Sequence, residues 1–301
     1  MKKLLYILLG LSLIFGCSDD SDVNSPDPDS PVYLDTNGVT IKAKDWAVLG
    51  DSGSINGITY TIVDRQTLRN MIGSGEDVSN VCTSLISNMQ SMVSGYSVNP
   101  GQIGAEIIYL DFNQDISSWD VSNVTNMKYM FKWSNFNQEI NHWDVGNVTS
   151  MQDMFKENFN FNQDLGNWDV SSVTHFSKMF ENAHNFNQNL GNWDVSSAEF
   201  MTSMFTLTEF NQDIGNWDVS NVLIMSGVFA DTPFNQDIST WDVGNVQNMS
   251  AMFAFNEEFN QDLSNWSVEN VTNCSIFNVQ INQQVSPWTL PQPNFTNCNP
   301  D

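Results

Sequence analysis

A motif of the form Phe-Asn-Gln-Asp-Ile returns every 24 or 25 residues along this chain, its Phe at positions 112, 136, 161, 186, 210, 234 and 259. A Trp follows seven residues after each: Trp119, Trp143, Trp168, Trp193, Trp217, Trp241 and Trp266. A degenerate eighth copy runs from Ile281 to Trp288. Self-similarity at a fixed period marks an array of units, none of which can bury its apolar side chains alone. The length variation has one location. Trp119 to Phe131 and Trp168 to Phe180 are both twelve residues, so the slack falls between that Phe and the next copy. One outer loop per unit absorbs it, as surface loops do.

Two periodicities alternate within a unit. Ile140-x-x-Trp143-x-Val145 puts Trp143 and Val145 on one face of a short strand and Asp144 on the other. Val124, Met127, Met130 and Phe131 then follow the spacing of a short helix's apolar stripe. Between them stands an Asn or Ser suited to a turn or N-cap, from Asn123 to Asn270. The reading is an α/β solenoid: a leucine-rich-repeat-like stack of strand–turn–short-helix units of 24–25 residues with a parallel sheet, over 86–288. The alternative is a parallel β-helix without helices; the Met-x-x-Met-Phe spacing favours the former.

The units, as in Phe-Asn-Gln-Asp-Ile-Ser-Ser-Trp-Asp-Val-Ser-Asn-Val-Thr-Asn-Met over 112–127, resemble the BspA-like leucine-rich-repeat surface proteins. More closely, they resemble the mycoplasma-lipoprotein-type repeats of unknown function grouped with them. Ile-x-x-Trp-x-Val would take the place of that family's strand. The resemblance implies a surface role in adhesion or protein binding, and no enzyme activity.

The ends differ from the array. Lys2 and Lys3 precede an apolar run from Leu4 to Phe15, the length of a signal-peptide core, which makes 1–16 a signal segment. Ile14-Phe15-Gly16-Cys17 resembles the lipobox of bacterial lipoproteins, which implies lipidation at Cys17. The acidic run after it resembles the surface-export signal of lipoproteins in the Bacteroides–Flavobacterium group. The implied localisation is the bacterial cell envelope, as a surface-exposed outer-membrane lipoprotein. Residues 17–36 are rich in Asp, Ser and Pro and read as a disordered tether. Residues 37–85 read as an α+β cap, with strands near Val39–Ile41 and Ile58–Val63 and a helix N-capped by Asp64. An insertion near 94–111 interrupts the array's start, and 289–301 form a C-terminal cap or tail. Cys274 and Cys298 lie one period apart, which permits a disulfide between neighbouring units, although their offsets from the preceding Trp differ.

Charge narrows the partners. Thirty-five acidic residues against ten basic ones give a net charge of −25, which repels nucleic acid and anionic lipid. The excess is periodic. Asp120, Asp144, Asp169, Asp194, Asp218 and Asp242 form one column, and Asp115, Glu139, Asp164, Asp213, Asp237 and Asp262 a second. Stacked carboxylates repel and raise one another's pKa. They are expected to accept hydrogen bonds from the following turn. Ca²⁺ between units is a weaker reading, because Asn189 and Ser267 interrupt the columns; no other cofactor is expected. His142, His175 and His184 keep no company of nucleophile or metal ligands. The expected function is therefore non-enzymatic. The ligand face would be the strip beside each Trp: Ser118, Asp120, His142, Asp144, Asn167, Asp169, Asn192, Asp194, Asn216, Asp218, Thr240, Asp242 and Asn265. An extracellular protein or matrix component is the expected partner, with a glycan or a ligand-free spacer role as rivals. Trp46 and Trp133 stand outside the Trp column and are freer for surface contact.

Overall fold

The computed structural model describes residues 27–102, 105–279 and 288–300. It opens with β1 (Val32–Leu34), antiparallel to β2 (Ile41–Ala43). A hairpin follows, β3 (Ser52–Ile55) with β4 (Ile58–Ile62), and β4 pairs in parallel with β5 (Val81–Cys82). Between β4 and β5 lies α1 (Arg65–Ser74); the Asp64 carboxylate accepts the Thr67 N–H at 2.7 Å, and Gly75 closes the helix at φ 74°. β1 falls within the stretch read as a disordered tether. Val32 explains the difference: it is buried in a small core with Ile41, Ala47, Tyr60, Ile62 and Cys82.

The insertion after the first unit is a hairpin, β6 (Tyr96–Val98) with β7 (Glu106–Ile108). It returns so close to the array that a Cβ on Gly95 would meet the carbonyl oxygens of Ile108 and Trp133.

From Asn88 onward each unit lies in parallel register beside the next. Bridges run Asn88–Asn126–Ser150–His175–Phe200–Ile224–Asn248–Asn273, each of the last seven falling seven residues after its Trp. The pairing therefore runs through the segment read as a short helix. The Ile-x-x-Trp-x-Val segment read as a strand forms no ladder, although Trp143 and Val145 are buried and Asp144 is exposed.

The expected helices are replaced by consecutive turns; among the described residues α1 is the one α-helix. The reason lies in the backbone. Tyr129 and Trp133, Asp153 and Glu157, Lys178 and Asn182, Ser203 and Leu207, and Ala251 and Phe255 all have φ between 51° and 62°. A left-handed residue every fourth position cannot propagate a right-handed helix. It turns alternate peptide planes the same way instead. The N–H groups of Met127, Tyr129, Phe131 and Trp133 donate to the carbonyls of Ser150, Gln152, Met154 and Lys156 at 2.8–3.1 Å. Every third or fourth side chain still points inward, so Met127, Met130 and Phe131 are fully buried at helical spacing without a helix.

One apolar core runs from Val63 to Trp288. Rings stack along it from unit to unit. The Phe112, Phe136, Phe161, Phe186, Phe210, Phe234 and Phe259 centroids are 6.1–6.4 Å apart. Trp193, Trp217, Trp241 and Trp266 follow at 6.4–6.5 Å. At the far end Cys274 and Cys298 are disulfide-bonded, holding the tail against the last unit; Cys82 is a buried free thiol. No described helix is long and apolar enough to cross a membrane.

Candidate ligand-binding strip

Each acidic column is a column of turns. Asp169, Asp194 and Asp218 accept the N–H of Ser171, Ser196 and Ser220 at 3.0–3.1 Å, and Asp242 accepts that of Gly244 at 3.0 Å. Asp144 makes the same contact with Gly146 at 3.3 Å. The second column repeats it: Asp115, Asp164, Asp213, Asp237 and Asp262 each accept the N–H two residues on, at 2.8–3.0 Å. A short acidic side chain folding onto its own backbone is a local preference. All these bonds use Oδ1.

The electrostatics follow. Hydrogen bonds from Ser196, Ser220 and Ser264, hydroxyl first and then N–H, hold Asp194, Asp218 and Asp262 below the usual carboxylate range. For Asp237 the Ser239 N–H is the larger influence. Repulsion from Asp194 raises the pKa of Asp218, as stacking is expected to, but at Asp218 the Ser220 hydrogen bonds outweigh it.

The strip does not take in every expected residue. Asp120 is buried at 3% exposure, where Ser84 and Ser122 donate to it. Ser118 is tied to the N-terminal segment, its hydroxyl donating to the Ser79 carbonyl and its own carbonyl accepting the Ile41 N–H. These two lie against Ser79 and Ser84 of the N-terminal segment because theirs, beginning at Phe112, is the first unit of the array that carries the Trp motif. His142 is half-buried with Nε2 2.6 Å from the Ser117 carbonyl, which occupies the ring within the stack. What remains exposed is Asp144, Asn167, Asp169, Asn192, Asp194, Asn216, Asp218, Thr240, Asp242 and Asn265. Thr240 also donates to the Gly215 carbonyl at 3.1 Å. Between two units, Asp164, Asn167, Asn189 and Asn192 line a polar depression of about 360 Å³. Three of the repeat's four lysines are in ion pairs, Lys132 with Asp153 at 3.5 Å, Lys156 with Glu181 at 2.7 Å and Lys178 with Glu181 at 3.1 Å, while Lys128 lies over the Tyr129 ring. Among the described residues no group of three or more His, Cys, Asp or Glu could hold a metal ion. Cys17 lies outside the described residues.

The Asn-Gln pair of each motif has a role that sequence reasoning missed. The Asn113 side chain accepts the Asn137 N–H, Asn137 that of Asn162, and so on through Asn187, Asn211, Asn235 and Asn260, at 2.8–3.1 Å. The Gln side chains from Gln138 to Gln261 donate back to the preceding Asn. Their recurrence in all seven main copies was the signal: a polar pair repeated that strictly satisfies backbone groups between units.

A family model described as Mycoplasma protein of unknown function, DUF285, matches residues 65–131, 105–208 and 201–298. No curated protein and no solved structure matches the chain.

Proposed function

The chain belongs to this DUF285 family of repeat proteins, and from that premise we propose that it is a non-enzymatic, lipid-anchored surface protein of the BspA-like kind. In this reading the units form a solenoid, Cys17 carries the lipid, and the exposed strip binds an extracellular protein or matrix component. The observation that carries the reading is the strip itself. Each carboxylate is fixed by its own turn through Oδ1, is exposed, and recurs once per unit. Fixed charges at regular spacing suit an extended partner bearing basic side chains, because the cost of ordering the acids is met before binding.

Capture from extracellular-matrix extracts on the immobilised mature chain tests this. Replacing Asp169, Asp194, Asp218 and Asp242 together by Asn keeps the turn acceptors and removes the charge. Capture is expected to fall at least about tenfold, and to weaken in salt, with the melting temperature little changed. Undiminished capture by that variant rejects the strip. A glycan array separates the carbohydrate reading, and absence of any captured partner supports the spacer.

A further inference from the structure

The N-terminal segment carries an apolar surface that the strip does not use. Trp46, Val48 and Leu49 are 57%, 60% and 51% exposed, three large apolar side chains within four positions. Their backbone is already closed. The Ala47 N–H donates to the Lys44 carbonyl at 2.9 Å and the Asp51 N–H to the Val48 carbonyl at 3.1 Å. The Val48 N–H donates to the Asp51 carboxylate at 3.0 Å, and Gly50, at φ 88°, donates to the Ile62 carbonyl. Ala47 is buried and roots the loop. Two hydrogen-bonded turns thus hold the side chains outward and occupy the N–H groups of Ala47, Val48, Gly50 and Asp51, which lowers the cost of bringing the segment to an apolar boundary.

The chain's path says which medium. Lys44 Nζ lies 5.9 Å from the centre of the Trp46 ring and also donates to the Pro28 carbonyl. The point where the chain leaves toward its N-terminus is therefore beside the loop. Nine residues, ten chain steps in all, lie between Cys17 and Asp27. Even fully extended they reach only about 35 Å. A lipid on Cys17 holds this loop near the bilayer at high local concentration, so weak insertion suffices. Trp favours the headgroup boundary, and a lysine stem can lie along apolar surface with its ammonium in water. The net charge of −25 disfavours anionic lipid.

We propose that the loop of Trp46, Val48 and Leu49 inserts into the headgroup–acyl boundary of a zwitterionic phospholipid surface and sets how the protein stands on its membrane. The inference rests on the lipid-anchor reading of Cys17.

The test uses the full mature chain purified from the cell envelope, its Cys17 mass recorded, on phosphatidylcholine vesicles brominated at upper acyl positions. Bromine is expected to quench part of the tryptophan emission, and Trp46→Phe to abolish that part. Val48→Asp with Leu49→Asp is expected to abolish it too, with the circular dichroism unchanged. An acylated chain whose emission bromine leaves untouched overturns the proposal. So does quenching that survives in Trp46→Phe, or a loop whose substitution disrupts self-association or a protein complex while the quenching persists. If Cys17 proves unmodified and the loop is still quenched, insertion stands and the anchor reading fails.

Discussion

At the scale of single residues, the Trp column separates packing from hydrogen bonding. Trp217 is buried, and its Nε1 donates to the Leu190 carbonyl at 3.0 Å; Trp168, Trp193, Trp241 and Trp266 make the same bond one unit apart. Trp143 is equally buried, and its Nε1 has no partner. Replacement by Phe removes comparable ring area at both sites, so the difference reports the bond. Trp217→Phe is expected to cost about 1 kcal/mol more than Trp143→Phe, read from urea midpoints. The burial of both rings was legible in the alternation of Trp with Asp. The bond was not, because its acceptor lies 27 residues earlier and is a backbone atom.

At the scale of elements, the turns create a polarity. Within each unit the N–H groups of alternate peptides point to the following unit and their carbonyls to the preceding one. The first unit has no predecessor, so its carbonyls would be orphaned. Arg65 of α1 fills the gap: Nε donates to the Asn88 carbonyl at 3.0 Å and Nη2 to that of Gln90. Arg69 reaches the Ser91 carbonyl at 3.5 Å. These are the two arginines of the whole chain, and both sit at the end of the stack where the carbonyl ends of the peptide dipoles gather. Arg65→Met is expected to cost about 2 kcal/mol and to speed amide exchange at Met89, Ser91 and Val93. Arg65→Lys should recover only part, because an ammonium lacks the fork that meets two carbonyls. The sequence placed α1 and its Asp64 cap correctly but gave no reason for the arginines, since what they face exists only once the first unit has its turned backbone.

At the scale of the molecule, the acidic columns tie stability to pH. Asp194, Asp218, Asp237 and Asp262 titrate below their unfolded values. Their contribution is therefore complete above the unfolded carboxylate pKa, near 4, and is lost as pH falls through the lower folded values. The melting temperature should hold steady down to about pH 5 and decline below. Asp194→Asn, Asp218→Asn and Asp237→Asn combined should flatten the decline, because an amide oxygen accepts the same bond without titrating. Asn189 already does so, taking the Gly191 N–H at 2.9 Å within the second column. Loss of mutual repulsion on acidification works the other way, and a melting temperature that rises below pH 5 would show that repulsion outweighs the turn bonds.

The repeat by itself determined which side chains are buried and where the acids turn back on their backbone. Both are local or strictly periodic: a unit must bury its Phe, Trp, Val and Met somewhere, and an Asp two residues before Ser or Gly closes its own turn. Tertiary structure alone decided the backbone of the Met-containing segment and the line along which units pair. Turns and a short helix bring the same side chains inward at the same spacing. A left-handed residue such as Phe255, at φ 60°, is costly in an isolated chain. It is tolerated here because the next unit accepts its N–H, at the Val279 carbonyl, and no single unit contains that partner.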